Sequence, residues 1–350
     1  MSFLTLVLLS ASVFADERVE STKQTTPLEQ STELKNSQFV AGYNAPARVK
    51  TSDGWDMFTR ASFLYWNVFQ EGMELGFLLY PDAQQASGVL EFPDEYKSGF
   101  KVGLGWNTPF DNWVVSADYT WFHHSIYKKQ PADLYLASSS HLNVQAVFDI
   151  EAFINSSHKW HIDLDVIDMM LGRPFYQGTR VNITPSFGLK GIFLNQKYTL
   201  KGLFRAGQTF LTYDYMKSDS WAVGPSLRVD ADFLLGAGIR LTSGISGTAT
   251  FTRYNGIRYF ASEDEAFLVN IKGSPENRVR AVCEAEAGLS WGMYLCQQKY
   301  HIDFSAAYEF QVFWNQNMIS WYAQNLSNKN GCSPGNLYFQ GLTLSGTFDF

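Results

Sequence analysis

Asp230 and Asp232, Glu284 and Glu286, Asp163 and Asp165: acidic residues in this chain recur two positions apart. That spacing puts side chains on one face of a β-strand. Rows of fixed charge on such a face can hold or select ions. Covalent chemistry has few candidates. A hydrolase would need Ser or Asp beside His, and the nearest arrangements are His123-His124-Ser125 and the pair His158 and His161. Adjacent strand residues point opposite ways, so His123 and His124 cannot share one site. No enzyme is expected. The three cysteines, Cys283, Cys296 and Cys332, show no CxxC spacing, which speaks against zinc and dithiol chemistry. No metal and no cofactor are expected. An odd cysteine leaves an intermolecular disulfide open in an oxidising compartment.

The elements that must carry the charges are long alternating strands. From 279 to 293 the odd positions are Val279, Ala281, Cys283, Ala285, Ala287, Leu289, Trp291 and Met293, against Arg280, Glu284 and Glu286. After a short link, Tyr300, Ile302, Phe304, Ala306, Tyr308, Phe310, Val312 and Trp314 oppose His301, Asp303 and Glu309. Soluble strands run to about 5–6 residues. Strands of roughly 15, with aromatic ends, suit a tilted bilayer crossing. The alternation recurs: Trp221, Val223, Leu227, Val229 and Phe233 oppose Arg228, Asp230 and Asp232, and residues 161–170 are read with Asp163 and Asp165 inward. Links alternate between short (108–111, 156–158, 195–196, 236–238, 294–298) and long (81–97, 124–140, 206–219, 255–278, 315–335). Outer-membrane barrels have short periplasmic turns and longer external loops.

This reading gives thirteen strands, but bacterial barrels take even numbers. The chain is therefore read as an all-β transmembrane antiparallel barrel of about 14 strands, with 12–16 compatible. Composition agrees: charged residues are only 17% and aromatics 16%, and no interior apolar run reaches the ~18 residues of a membrane helix. Residues 1–15 read as a signal peptide, 16–50 as a flexible periplasmic leader and 51–350 as the barrel. The last strand ends on Phe350, read as the signal for barrel-assembly machinery. A net charge of −7 without a basic patch excludes nucleic acid as a partner. The expected surroundings are the lipids of a Gram-negative-type outer membrane; a homo-oligomer is left open.

Alternation places Arg60, Lys101, Asp118, Asp163, Asp165, Arg228, Asp230, Asp232, Arg280, Glu284, Glu286, Asp303 and Glu309 on the lumen face. At around 14 strands the lumen is too wide for side chains to fill, so water enters and these charges form a pore wall. Acidic groups outnumber basic ones, which predicts weak cation preference. The expected role is passive diffusion of ions and small hydrophilic solutes; the alternative is a structural or adhesive surface protein.

Several stretches stand in a telling order: Gly42-Tyr43-Asn44-Ala45-Pro46-Ala47, Gly54-Trp55-Asp56-Met57-Phe58, Ala61-Ser62-Phe63-Leu64-Tyr65-Trp66, Gly99-Phe100-Lys101-Val102-Gly103-Leu104-Gly105 and Trp221-Ala222-Val223-Gly224-Pro225. Together they resemble the major outer membrane protein family of Legionella and of the amoeba-associated relatives of Chlamydia. The resemblance spans nearly all of the chain beyond its leader. It implies a porin-like barrel and supplies no catalytic residues.

Overall fold

The computed structural model describes residues 47–350 except 48, 53, 81–85, 138–151, 207, 265 and 327–333. The expected signal peptide, nearly all of the leader, and Cys332 lie outside the described residues. Sixteen strands follow in chain order: β1 Met57–Gln70, β2 Gly76–Leu79, β3 Ala86–Leu90, β4 Tyr96–Asn107, β5 Val114–Lys129, β6 Tyr135–Ala137, β7 Ala152–Gly172, β8 Phe175–Gln177, β9 Val181–Ala206, β10 Gln208–Gly236, β11 Ile239–Tyr254, β12 Arg258–Glu263, β13 Ala266–Lys272, β14 Glu276–Leu295, β15 Tyr300–Asn317 and β16 Gly335–Asp349. Among the described residues one helix, α1, spans Met318–Leu326.

Ten strands close into a wall in the order β1-β4-β5-β7-β9-β10-β11-β14-β15-β16, and β16 returns to β1. Every neighbouring pair is antiparallel. The expected fourteen strands are thus corrected to ten in the wall, with six more outside it. Three misread stretches reduce the thirteen strands read directly to ten; the fourteenth rests on the even-number rule alone, which ten also meets. Residues 76–79 form β2, which pairs with β3 and β6 rather than with the wall. The stretch expected at 141–154 lies mostly outside the described residues, and its end begins β7. The turns expected at 156–158 and 195–196 do not exist: β7 and β9 run straight through them. Where a turn is real, the backbone needs it. Gly236, Ala237 and Gly238 all have positive φ (113°, 53° and 80°), a conformation glycine adopts without steric cost.

The strands are staggered, as a barrel requires. Following Cα partners from Phe233 through Leu241, Leu289, Ala306, Leu344, Phe63, Phe100, Trp121, Asp165 and Phe193 returns to β10 not at Phe233 but at Trp221. Outside the wall, large apolar side chains stand free: Leu227 is 68% exposed, Leu104 60% and Met169 57%. Aromatic pairs mark both margins of this belt, Tyr65 on Tyr96 and Phe69 on Tyr338 at one end, Tyr300 on Phe348 at the other. Such a belt faces lipid. Short turns put the end bearing Met57 and Phe350 toward the periplasm.

Inside, the barrel has two unlike halves. Toward the periplasm the inward residues are charged or hydroxylic. Toward the exterior they are apolar and fully buried: Leu64, Phe122, Ile162, Leu164, Leu337 and Phe339 are inaccessible, and Trp66 and Trp160 nearly so. Helix α1 closes this end. Asn317 caps it by accepting a hydrogen bond from the Ser320 amide at 3.0 Å. Ile319 and Ala323, one turn apart on its inner face, are buried in the same core.

Candidate functional site

The periplasmic half of the barrel encloses a cavity of about 400 Å³. Its wall holds nine carboxylates (Asp118, Asp168, Asp230, Asp232, Glu284, Glu286, Asp303, Glu309, Asp349) and five Lys or Arg cations (Arg60, Lys101, Lys190, Arg228, Arg240). The excess of carboxylates makes the interior electronegative. Most of the charges are paired across the interior rather than along one strand. Lys101 on β4 reaches Glu309 on β15 at 3.4 Å. Lys190 on β9 sits 3.0 Å from Asp168 on β7 and 2.6 Å from Glu284 on β14. Arg228 on β10 joins Asp230 to Glu286, and Arg240 joins β11 to Asp303 on β15.

These bridges depend on what the intervening residues lack. Gly103 lies between Arg60 and Asp118, which approach to 3.8 Å; a Cβ there would stand 2.1 Å from the Asp118 carboxylate. Gly244 lies under the Arg228 cluster, where a Cβ would meet Asp230, Arg228 and Glu286 within 2.6–3.0 Å. The inward glycines thus make room for charges that must cross.

The cavity stops at an apolar ceiling. The Trp66 indole donates to the Thr343 hydroxyl at 3.1 Å, and the Lys101 ammonium lies 5.9 Å from the centre of its ring. Beyond Trp66 come Phe122 and Phe339, stacked edge to face, then the rest of the apolar core.

Ten of the thirteen residues expected on the lumen face border this cavity: Arg60, Lys101, Asp118, Arg228, Asp230, Asp232, Glu284, Glu286, Asp303 and Glu309. Arg280 points inward but higher up, with its guanidinium against Tyr254 and 3.4 Å from the Met318 sulfur. Asp163 and Asp165 require a correction. They lie on the outer surface of β7, where Asp165 accepts from Tyr119 at 2.5 Å and meets His123 at 2.8 Å, and Asp163 meets His161 at 3.0 Å. The inward acid of β7 is Asp168. His124 turns inward to the Ser98 carbonyl, opposite to His123, as alternation requires. His158 also turns inward, beyond the outer margin of the belt, where burial pushes its pKa down to about 3 and its ring nitrogens hydrogen-bond with Ser156 and Tyr198. Phe350 closes the seam: its amide donates to the Met57 carbonyl and its carbonyl accepts from the Met57 amide.

A closed antiparallel wall, an apolar belt between aromatic margins, short turns at one end and a charged interior define a transmembrane β-barrel of the bacterial outer-membrane type. Residues 48–350 match the family described as Legionella pneumophila major outer membrane protein precursor, and the chain belongs to that family. It is an outer-membrane protein. Among solved structures it resembles the attachment invasion locus protein Ail of Yersinia pestis (10% identity, 84% of this chain and 97% of that one, TM-score 0.25). It also resembles the translocator domain of the autotransporter NalP from Neisseria meningitidis (11%, 92% and 95%, 0.31) and the Pseudomonas putida toluene transporter TodX (7%, 85% and 90%, 0.27). Scores this low carry nothing about pore or ligand. Compared with curated proteins, the chain finds no match.

Proposed function

We propose that this protein is a narrow, weakly cation-preferring porin whose outer end is shut in the conformation described here. The observation that carries the reading is the charged cavity inside a closed wall. A barrel serving only as a scaffold gains nothing from enclosing fourteen ionisable groups, since an apolar filling of the same volume is usually at least as stable. An electronegative interior raises the local concentration of cations and favours their passage. Ten strands make the bore small, so ions and the smallest hydrophilic solutes are the cargo. Passage requires the apolar ceiling and α1 to move aside.

The second reading, a structural or adhesive surface protein with a permanently closed barrel, is favoured by that same ceiling of fully buried side chains. Conductance separates the two. Reconstituted in a planar bilayer, the wild type should show small, infrequent steps with a cation-selective reversal potential. A variant lacking residues 318–326 should open more often. Silence from both proteins, each verified as folded, would leave the scaffold reading standing.

A further inference from the structure

The outer surface of the sheet carries a row of basic side chains that its own fold neutralises only in part. His161 on β7 is the direct partner of Lys197 on β9; Lys197 faces Lys217 on β10; Lys217 faces Arg258 on β12; Arg258 faces Lys272 on β13. Direct cross-strand partners share one face of a sheet, about 5 Å apart. That face is the outer one, because Lys197 and Lys217 have the same parity as Phe193 and Val223, both about half exposed on the belt, with no bulge between. Like charges placed directly opposite destabilise a sheet. Two of the five have acidic neighbours: Lys217 lies 2.5 Å from Asp219, and His161 3.0 Å from Asp163. Lys197, Arg258 and Lys272 have no carboxylate within ion-pair distance among the described residues.

The height of the row says what meets it. Phe193 and Trp221 mark the outer margin of the belt. Lys197 and Lys217 lie four residues further along the same strands, about 9 Å further along the membrane normal for a tilted strand. That is the depth of lipid headgroups, not of hydrocarbon or bulk water. The next row outward carries Lys159 over the Tyr127 ring at 5.0 Å, and the one beyond it Lys201 over Tyr213 at 5.4 Å.

We propose that this row binds the phosphate groups of an anionic lipid in the outer leaflet, seating the lipid against β7, β9, β10 and the β12–β13 hairpin. The phosphates offset the mutual repulsion of the row, while the acyl chains lie along the belt below Phe193 and Trp221. Guanidinium and ammonium groups suit this partner, since both bind phosphate through charge-assisted hydrogen bonds.

The test uses the full chain in detergent micelles, titrated with bisphosphorylated lipid A at 0.1 M salt, with bound lipid read by native mass spectrometry. Wild type should retain lipid A, and the Lys197→Gln, Arg258→Gln, Lys272→Gln triple variant should bind it about tenfold or more weakly. Lipid A stripped of both phosphates, given to the wild type, should lose binding to the same degree; this arm needs no mutant to fold. Lys197→Arg should keep binding. Equal retention by the triple variant, or by wild type with the dephosphorylated lipid, would overturn the proposal. So would inorganic phosphate competing as tightly as the lipid, since that would mark a soluble-anion site.

Discussion

Lys190 ties three strands of the cavity wall together. Its side chain is only 3% exposed, yet it answers two carboxylates from two different strands. Replacing it with Met leaves Asp168 and Glu284 facing each other without a cation, and breaking a buried ion pair from one side costs about 3–5 kcal/mol. Lys190→Met should lose that much stability in urea titrations of the folded band on gels. Adding Glu284→Gln should recover part of it; no recovery would mean the lysine acts through packing alone. Asp214 poses the opposite problem. It lies in the outer part of β10, beyond the belt, wholly buried where β10 pairs with β12, and neither oxygen has a hydrogen-bond partner among the described residues. Burial, and then the nearby Glu263, push its pKa up to about 7. In the unfolded chain it titrates near 4. Between these values the folded state holds a proton that the unfolded state lacks, so stability falls as pH rises from about 4 to about 7 and is level above that. The loss is on the order of 4 kcal/mol across that span. Amides of β12 should therefore exchange faster at pH 8 than at pH 5 after correction for intrinsic rates, and Asp214→Asn should remove the difference. Equal protection in wild type at both pH values would mean the carboxyl finds a partner in solution.

A single strand of this barrel crosses two environments, and its hydrophobic pattern inverts on the way. On β7 the apolar residues of the membrane-spanning part are odd, Ile167, Met169 and Leu171, and they face lipid. Farther out the apolar residues are even, Trp160, Ile162 and Leu164, and they fill the interior. The parity of the backbone never changes; what changes is which side is dry. Reading all of β7 from its outer half therefore put Asp163 and Asp165 inside. The same inversion at the middle of β9 imitated a turn at 195–196 and split one strand into two. Strands β10, β14 and β15 were legible because their membrane-spanning parts keep one pattern for many residues, as in the run from Trp221 to Phe233. Interior apolar residues such as Leu64, Trp66 and Val68 left no separate signal, because beside Phe63 and Tyr65 they read as a continuous oily run. The cross-lumen bridges were likewise out of reach, since alternation gives a face but not the strand opposite. The faces can be tested. Arg at Met169, Ala285 or Phe304 should cost about 2–4 kcal/mol near the bilayer midplane, and Arg at Ser305, which borders the cavity, far less. Refolding into lipid vesicles measures this, and similar costs at all four positions would refute the assignment.

For the molecule as a whole, ten strands rather than fourteen decide the character of the interior. A wide barrel would hold bulk water, whereas this one is narrow enough for Lys101 to touch Glu309 and for Trp66 to roof the space above them. Selectivity should accordingly respond to single residues. Neutralising Glu284 and Glu286 to Gln should weaken cation preference in a salt-gradient reversal potential, and the preference of either protein should fade in molar salt, where charges are screened within ~3 Å. An anion-selective wild type would contradict the electronegative wall. Deleting Phe350 should impair folding, because two backbone hydrogen bonds to Met57 end with it; an unchanged yield of the heat-modifiable form would count against that. The seam it closes governs more than stability. Met57 and Phe350 stand at the two ends of the wall, so β1 waits for its last neighbour until the final strand has been made. Until then both β1 and β15 present open edges, ready to pair with any other chain. Contacts so distant in sequence are slow to form, because the loop must close before any of them is gained. The wall therefore has no stable partial version: a chain stopped short of β16 has two sticky margins instead of a circumference, and only the finished chain can enter the bilayer with every backbone group satisfied.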